Sequence, residues 1–448
     1  MSYSRLILIS LIVYASLTTS SFCSDLYESD SQIWKVGRQR WTTHQERDFG
    51  KWVEENITED FLIRYRIPLD CADLPYAFRW IYARIAHLPA AATTGGNRLI
   101  GHWSTDWRHL PTNKVWHKDR RFRAALMAML STTSTRTLPN DVYPIRINAE
   151  SVTAGTAFLV SGSHAGIVAR IVMDGSTTHP IQTFEAGSPA RIQRLRLRNF
   201  ISAHPDPLNM SGLLKFRWPV RSAGRWHYLP IEEYPFYSQE QYLTSFSAGY
   251  EDYLEAVAQK IDPTVYDPHE KITKVMDTLV RRSTERIAVV IAGNEKCRLN
   301  PCPEESLLWE IYSTPTRDEF IQVVIDHLEG IISKNQLDRD AILEKMAKVH
   351  LQISPDRFVT LEHVFLNSKW MSSDPKASIN ARWGLDKCSI IAIHMRRAQE
   401  SIAFIKRRYS KNDPEFAERS LRIQQAIIDE MTREGRLNQC TPPQVLDD

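Results

Sequence analysis

A lone cysteine at the start of a helical pattern is the residue in this sequence best suited to chemistry. Cys71 lies in the stretch LDCADLPYAFRWIYARI, just before an amphipathic run that begins at Leu74. The first turn of a helix exposes amides that lack acceptors and carries the positive end of the helix dipole, which favours a thiolate nucleophile there. Asp70 is suited to the N-cap, because its carboxylate can accept a hydrogen bond from a first-turn amide such as that of Asp73. The alternative is that Cys71 is a small buried residue, as free cysteines often are.

Thiolate chemistry also needs a base, and the stretch AGTAFLVSGSHAGIVARIV supplies one in His164. His164 begins a predicted strand after a Gly/Ser turn, where its imidazole can face the end of a neighbouring helix. A third polar group should bond the other ring nitrogen and hold the tautomer. The next strand offers Gln182 and Glu185, and the turn before it offers His179. Strand alternation places Gln182 and Glu185 on opposite faces, so only one can face His164; we expect Glu185, with Gln182 as the alternative.

The first 22 residues have the order of features of a secretory signal peptide. One early basic residue, Arg5, precedes an apolar stretch over 6–17, and small polar residues follow. This stretch is short for a membrane span, and no later stretch of 18 apolar residues occurs. We therefore expect a secreted or periplasmic protein without an integral membrane segment. The bulky Phe22 before Cys23 argues against a lipoprotein cleavage motif.

Export changes the interpretation of the cysteines, because thiols tend to pair in an oxidising compartment. The chain has six: Cys23, Cys71, Cys297, Cys302, Cys388 and Cys440. Cys297 and Cys302 flank the turn-forming spacer RLNP, and Cys388 with Cys440 could fasten the C-terminal tail. Two disulfides are therefore predicted. Cys23 lies beside the expected cleavage site, which leaves Cys71 as a free, reactive thiol.

The length of 448 residues predicts two folded domains. We expect a protein of the α+β class, with a signal peptide over 1–22, a first domain over 25–245 and a mostly helical domain over 246–448. HQERDFGKWVEENI and DRRFRAALMAML are predicted helices. Five short β-branched and aromatic runs predict a small antiparallel sheet: YPIRI, TAFLV, HAGIVARIVM, IQTFEA and IQRLRLRNF. Asp174-Gly175 signals a hairpin between the third and fourth runs. Helical periodicity returns at about 240 and continues almost to the end.

Composition limits the ligands to be considered. A net charge of +3 without a long basic run argues against nucleic acid, and no cofactor motif is present. The irregular spacing of three histidines in the Trp-rich loop argues against a metal site: His102, His109 and His117. Three arginines alternate along one run: Arg194, Arg196 and Arg198. They could bind an anionic substrate, but a solvated edge strand is the favoured interpretation. The sequence does not predict the oligomeric state.

Two motifs resemble those of the NlpC/P60-type papain-like cysteine hydrolases over about residues 60–200. DCADLPYAFRWIY resembles the D-C-[small]-x-helix nucleophile segment, and AGTAFLVSGSHAGIVARI resembles the G-D-x-x-x-F…G-H-V-G-I-Y strand-turn-strand. The resemblance makes Cys71 the nucleophile and His164 the base. The family often has His before a small residue on the next strand, where FEAGSP places Glu185-Ala186. The interval of 93 residues from Cys71 to His164 exceeds the usual one, with the excess in the Trp-rich loop and the following helix.

The resemblance implies a papain-like domain, with a helix packed on a small antiparallel sheet, that hydrolyses an amide in peptidoglycan stem peptides. The helical domain would position the substrate or bind a partner. A transglutaminase-like acyl transferase is the near rival, but HAGIV lacks the aromatic residue that usually follows the histidine of that family. Two rivals from other classes remain: a non-catalytic binding module that keeps the fold, with Cys71 buried or bridged, and a helical scaffold with an incidental β domain.

Overall fold

The computed structural model describes residues 29–160, 162–200, 205–247, 249–300, 302–304, 306–408 and 414–440. The predicted signal peptide over 1–22 and Cys23 lie outside the described residues. The chain divides into two compact units. The N-terminal unit ends at Val265 and omits Asp174–Thr178, which belong to the C-terminal unit together with the chain from Tyr266 onward. The sequence placed this division between 245 and 246.

The helices of the N-terminal unit are α1 (Thr43–Asn56), α2 (Phe61–Tyr65), α3 (Asp73–Ile85), α4 (Arg120–Leu130) and α5 (Tyr250–Ile261). The helices predicted over HQERDFGKWVEENI and DRRFRAALMAML correspond to α1 and α4. The expected return of helix at about 240 is wrong by ten residues, since Glu240–Tyr242 forms only a short 3-10 turn before α5 begins.

The sequence predicted that Cys71 lies in the first turn of a helix. Helix α3 instead begins at Asp73, two residues after Cys71. Cys71 and Ala72 form a turn, and the helix starts at Asp73. Pro75 fits the first helical turn because amides there have no intrahelical acceptor. Residues 73 to 84 are all buried, so the helix is covered on every side and only its last residue, Ile85, is 41% exposed. The nucleophile candidate therefore precedes α3 and does not belong to it.

Buried ion pairs hold α3 in place. Arg79 donates to Glu46 of α1 at 2.5 Å, and its guanidinium lies 3.2 Å above the ring of Trp41. Near the other end of the helix, Arg84 pairs with Asp119 at 2.9 Å. All four of these charged groups are less than a tenth exposed, and breaking such a pair leaves an uncompensated buried charge. This fixes the helix that follows the Cys71 turn.

The main sheet of the N-terminal unit is six-stranded and antiparallel, in the order β3-β8-β4-β5-β6-β7. Its strands are β3 (Val142–Pro144), β4 (Ala157–Val160), β5 (His164–Ile171), β6 (Ile181–Glu185), β7 (Arg196–Asn199) and β8 (Gly212–Phe216). Strands β5 and β6 are neighbours, as the Asp174-Gly175 signal predicted. Strand β8 was not predicted, and it separates β3 from β4. Two smaller hairpins are β1 (Ala91–Thr93) with β2 (Leu99–Gly101), and β9 (Pro219–Ser222) with β10 (Arg225–Tyr228).

Gly166 in β5 explains how the sheet accommodates its aromatic neighbours. A Cβ at this position would come within 2.5 Å of the Phe158 ring and 2.7 Å of the Phe184 carbonyl oxygen. The Phe158 ring is fully buried and lies 6.0 Å from the ring of His164, between ring centres. The glycine two residues after His164 therefore allows Phe158 to pack beside the imidazole.

The C-terminal unit is mainly helical. Its helices are α6 (Pro268–Leu299), α7 (Leu307–Tyr312), α8 (Pro315–Lys334), α9 (Arg339–Ala347), α10 (Leu361–Asn367), α11 (Ile379–Arg382), α12 (Lys387–Arg408) and α13 (Pro414–Leu437). This agrees with the predicted helical domain, which also contains one antiparallel hairpin that was not predicted, of β11 (His350–Ser354) and β12 (Arg357–Thr360). The predicted α+β class is confirmed for the chain.

Both predicted disulfides are present, Cys297–Cys302 and Cys388–Cys440. In the described part of the chain, no helix has the length and apolar character that a membrane span requires.

Candidate active site

A pocket of about 490 Å³ in the N-terminal unit brings Cys71, His164 and Glu185 together. Its other lining residues come from β4, β7 and the loops at the same end of the sheet: Val160, Ser163, Ala186, Gly187, Ser188, Arg196 and Arg198. Cys71 is a free cysteine and 9% exposed. The three residues that the sequence singled out thus share one cavity, although they lie up to 114 positions apart in the chain.

The turn that carries Cys71 is held by two carboxylates that accept hydrogen bonds in opposite directions. Asp70 Oδ1 accepts from the amides of Ala72 at 3.0 Å and Asp73 at 3.3 Å, and Asp73 Oδ2 accepts from the Asp70 amide at 3.2 Å. This reciprocal arrangement resembles a capping box. Among the described residues, no oxygen accepts a hydrogen bond from the Cys71 amide. That amide remains free to donate to an oxygen in the pocket.

The segment before Cys71 is fastened to the loop between β6 and β7. Leu69 and Arg191 form an antiparallel bridge, with N–H to O distances of 3.2 and 3.3 Å. The buried Gln193 side chain donates to the carbonyl oxygens of Leu69 at 2.9 Å and Gly187 at 2.8 Å, and it accepts from the Gly187 amide at 2.9 Å. These bonds set the position of the Cys71 turn relative to the strand that carries Glu185. Sequence reasoning did not identify Gln193, because nothing in its type distinguishes it within IQRLRLRNF.

His164 lies at the start of β5, and its ring contacts both Cys71 and Glu185. Nε2 is 2.9 Å from Glu185 Oε2, and the ring also forms a hydrogen bond with the Cys71 side chain. The Glu185 side chain is only 7% exposed, and Oε1 accepts from Thr183 Oγ1 at 3.2 Å. Thr183 lies two residues before Glu185 on the same strand face, a spacing that could have identified it. The carboxylate is thereby fixed toward the imidazole.

The pKa of His164 is raised to about 9. Hydrogen bonding to Cys71 is the largest cause and hydrogen bonding to Glu185 the next, and together they outweigh the opposing effect of burial. At pH 7 an imidazole with this pKa is about 99% protonated. The resting arrangement is therefore an imidazolium between a sulfur and a carboxylate, which can deliver a proton to a leaving group and stabilise a thiolate.

Gln182 and His179 do not reach His164. The Gln182 side chain accepts from Arg170 Nε at 2.6 Å and is 1% exposed, so it lies in the interior and not on a solvated face. His179 is 3.2 Å from the Leu254 carbonyl oxygen, and burial lowers its pKa to about 4. Of the three residues considered for orienting the base, Glu185 is the one in contact with it.

The carboxyl group of Asp73 titrates near neutral pH. Burial, with the charge of Asp70 as the second cause, raises the pKa of Asp73 to about 7. The Asp73 side chain also accepts from Thr133 Oγ1 at 3.4 Å. A buried carboxyl beside a second carboxyl is stabilised in its protonated form. The hydrogen bonds that Asp73 accepts favour its ionised form, but burial and the Asp70 charge outweigh them, so ionisation of Asp73 destabilises the folded state.

The sequence also raised two other kinds of binding site, a metal site in the Trp-rich loop and an anion site on the arginine-rich strand. His102 is fully buried, and burial lowers its pKa to about 3. Within the described ranges, no group of three or more His, Cys, Asp or Glu side chains is placed to hold a metal ion. Arg194 precedes β7 and its charge acts on Asp60, whereas Arg196 and Arg198 line the pocket. Strand β7 is at the edge of the sheet, as the favoured interpretation expected, but two of its arginines face the pocket and not only solvent.

Comparisons with protein-family models, curated proteins and solved structures found no match to this chain. The assignment of the site consequently depends on its own geometry. That geometry is a free cysteine in a capped turn, an imidazole at a strand start and a buried carboxylate 2.9 Å from the imidazole.

Proposed function

We propose that this protein is a cysteine hydrolase of amide bonds, with Cys71 as nucleophile, His164 as acid and base, and Glu185 as the group that orients His164. The observation that carries the proposal is the His164 ring, which contacts the Cys71 thiol and the Glu185 carboxylate in one pocket. The motif resemblance to papain-like NlpC/P60 hydrolases adds a substrate class, the stem peptides of peptidoglycan.

The chemistry proceeds in two steps. The Cys71 thiolate attacks the carbonyl carbon of the amide, and the Cys71 N–H donates to the oxyanion that forms. The His164 imidazolium gives its proton to the leaving nitrogen as the C–N bond breaks, which leaves a thioester on Cys71. Neutral His164 then takes a proton from water, the resulting hydroxide attacks the thioester, and the C–S bond breaks to release the acid and restore the thiolate. Glu185 accepts a hydrogen bond from Nε2 throughout.

The disulfides support a location outside the cytoplasm. Cys297–Cys302 and Cys388–Cys440 are paired while Cys71 is free. Structural disulfides persist in oxidising compartments and are rare in the cytosol. We propose that the protein acts in a secreted or periplasmic setting, where peptidoglycan is accessible.

The first experiment tests the nucleophile with a generic acyl donor. Full-length protein is mixed with p-nitrophenyl hexanoate, the release of nitrophenolate is followed, and the acyl group is located by peptide mass mapping. We expect hexanoyl on Cys71 in the wild type and none in Cys71→Ala. His164→Ala should slow acylation by about 10²- to 10⁴-fold. His109→Ala, a change at an exposed histidine, should leave it unchanged.

The second experiment tests amide cleavage. Stem peptides isolated from peptidoglycan are incubated with wild type and Cys71→Ala, and new amino groups are identified by mass spectrometry. Cleavage in the wild type alone would support the proposal. Acylation of a site other than Cys71, or unchanged peptides with an acylated enzyme, would refute the nucleophile or the amide assignment respectively. Transfer of the acyl group to an added primary amine in preference to water would favour the transglutaminase-like rival.

A further inference from the structure

Two arginines of the edge strand β7 extend the pocket beyond the three reacting groups. In the register between β6 and β7, Arg196 is opposite Glu185 and Arg198 is opposite Thr183. Because strand residues two apart share a face, both arginines lie on the face that carries Glu185, and both line the pocket. The sheet thus places two guanidinium groups next to the candidate reaction centre.

The two arginines differ in their surroundings. Arg198 Nη1 lies 3.6 Å from Glu185 Oε2, so Arg198 shares the carboxylate that His164 also contacts. Among the described residues, no carboxylate lies within ion-pair distance of the Arg196 guanidinium and no acceptor takes a hydrogen bond from this group. Arg196 is half-buried and therefore only partly hydrated. The guanidinium of Arg196 can therefore still form charge-assisted hydrogen bonds with an anionic group.

The charges in the pocket are not balanced. Arg196 and Arg198 supply two positive charges to this pocket, against the single carboxylate of Glu185. Gly187 lies beside the guanidinium without a side chain to cover it: a Cβ there would be 3.2 Å from Gln193 Oε1 and 3.9 Å from Arg196 Nη2. An excess positive charge in a cleft with partly buried walls attracts a negatively charged substrate.

We infer that Arg196 binds a carboxylate of the substrate beside the scissile bond, so that the enzyme acts on anionic acyl compounds such as peptides with an acidic side chain or a free carboxyl terminus. The inference rests on the proposed function, because it assigns a substrate class to the same site. The planar guanidinium matches a carboxylate with two parallel hydrogen bonds. Arg198 holds Glu185 and adds to the positive field without being the main contact.

The test compares matched esters that differ in one carboxylate. For the acyl side, mono-p-nitrophenyl adipate is compared with p-nitrophenyl hexanoate; for the leaving-group side, the acetyl ester of 4-hydroxy-3-nitrobenzoate is compared with 2-nitrophenyl acetate. The rate constant kcat/KM is measured for wild type, Arg196→Gln, Arg196→Lys and the control Arg194→Gln, which changes an arginine of the same segment outside the pocket.

We expect the wild type to prefer the anionic ester in at least one pair. Arg196→Gln should lower kcat/KM for that ester by about 10- to 100-fold, the range for a lost hydrogen bond to a charged group, with less than about threefold effect on its neutral partner. Arg196→Lys should retain part of the preference, Arg194→Gln all of it, and added salt should reduce it. Equal losses on anionic and neutral esters, or no preference in either pair, would overturn the inference while leaving the hydrolase proposal intact. Absence of Cys71 acylation by every ester would refute the proposed function, and the inference with it.

Discussion

Replacing Glu185 with glutamine removes the negative charge next to the His164 ring while it keeps the size of the side chain. Glu185 Oε2 is 2.9 Å from Nε2, and hydrogen bonding to Glu185 is the second cause of the raised His164 pKa of about 9. We therefore expect the His164 pKa to fall in Glu185→Gln. The hydrogen bond to Cys71, the largest single cause, remains in this variant and outweighs the effect of burial, so the pKa should stay above the ordinary value of 6.5.

The size of the shift follows from the surroundings of the pair. A hydrogen bond to a charged group contributes about 1.5 to 3 kcal/mol, which corresponds to about one to two pKa units. The His164 side chain is 33% exposed, and Arg198 already takes part of the Glu185 charge at 3.6 Å, so solvent and the arginine both weaken the effect. We expect a decrease of about one unit, at the lower end of that range.

The pKa can be measured directly by NMR titration of protein labelled at the histidine Cε1 carbon, with the His164 signal assigned from a His164→Gln variant. Cys71→Ala, which removes the largest single cause, should also lower the pKa. The matched control is Gln182→Ala, which changes a buried polar residue of the same strand that contacts Arg170 and not His164. An unchanged pKa in Glu185→Gln beside a lowered one in Gln182→Ala would refute the assignment of Glu185.

Two further predictions concern stability. The pKa of Asp73, about 7, lies above the value of about 3.9 expected in the unfolded chain, so the stability that protonated Asp73 contributes is present below pH 4 and lost as the pH rises through 7. In urea unfolding, the free energy of unfolding of Asp73→Asn should therefore increase relative to that of the wild type as the pH rises from about 4 to about 7. A pH-independent difference would contradict this. Reducing Cys388–Cys440, whose cysteines are 52 positions apart, should lower the free energy of unfolding in urea by up to about 4 kcal/mol. Reducing Cys297–Cys302, with a separation of 5, should lower it by about 2 kcal/mol. Equal losses would argue against the chain-entropy explanation of disulfide stabilisation.

The parts of the site that depend on local sequence were the most predictable. Cys71 before an amphipathic run and His164 after a Gly/Ser turn are short-range patterns, and the structure brings both into one pocket. The capping bond from the Asp73 amide to Asp70 was likewise readable from residue type. The start of α3 was not, because hydrophobic periodicity continues smoothly across the boundary and sets the end of a helix only to within a few residues.

The choice between Glu185 and Gln182 depended on strand register, which the sequence gives only indirectly. An irregularity between Val168 and Arg170 shifts the pairing so that Arg170 is opposite Gln182 and Ile167 is opposite Phe184. A one-residue slip would reverse the faces of every side chain on the strand. Alternation therefore showed that only one of the two could face His164, while the choice of Glu185 followed from its position at the strand end.

Two strand regions were missed for different reasons. Strand β8 is buried along its whole length, so GLLKF shows no alternation that would distinguish a strand from a piece of helix. The β11–β12 hairpin does alternate, with Leu351 and Ile353 buried, but it is short and lies between helices. The role of Arg196 also needed the structure, because nothing in the sequence shows which side of an edge strand faces a cavity.

The Leu69–Arg191 bridge has a consequence for when the proposed active site can assemble during folding. This bridge and the Gln193 bond to Leu69, 124 positions away, close a loop of more than a hundred residues. Contacts of such high sequence separation are slow to form, because the entropy of loop closure is lost before the contact is gained. We therefore expect the Cys71 thiol to reach His164 late in folding, after β5 and β6 have paired. The proposed activity should consequently report completion of the N-terminal fold, because the thiol of an incompletely folded chain would lack its base.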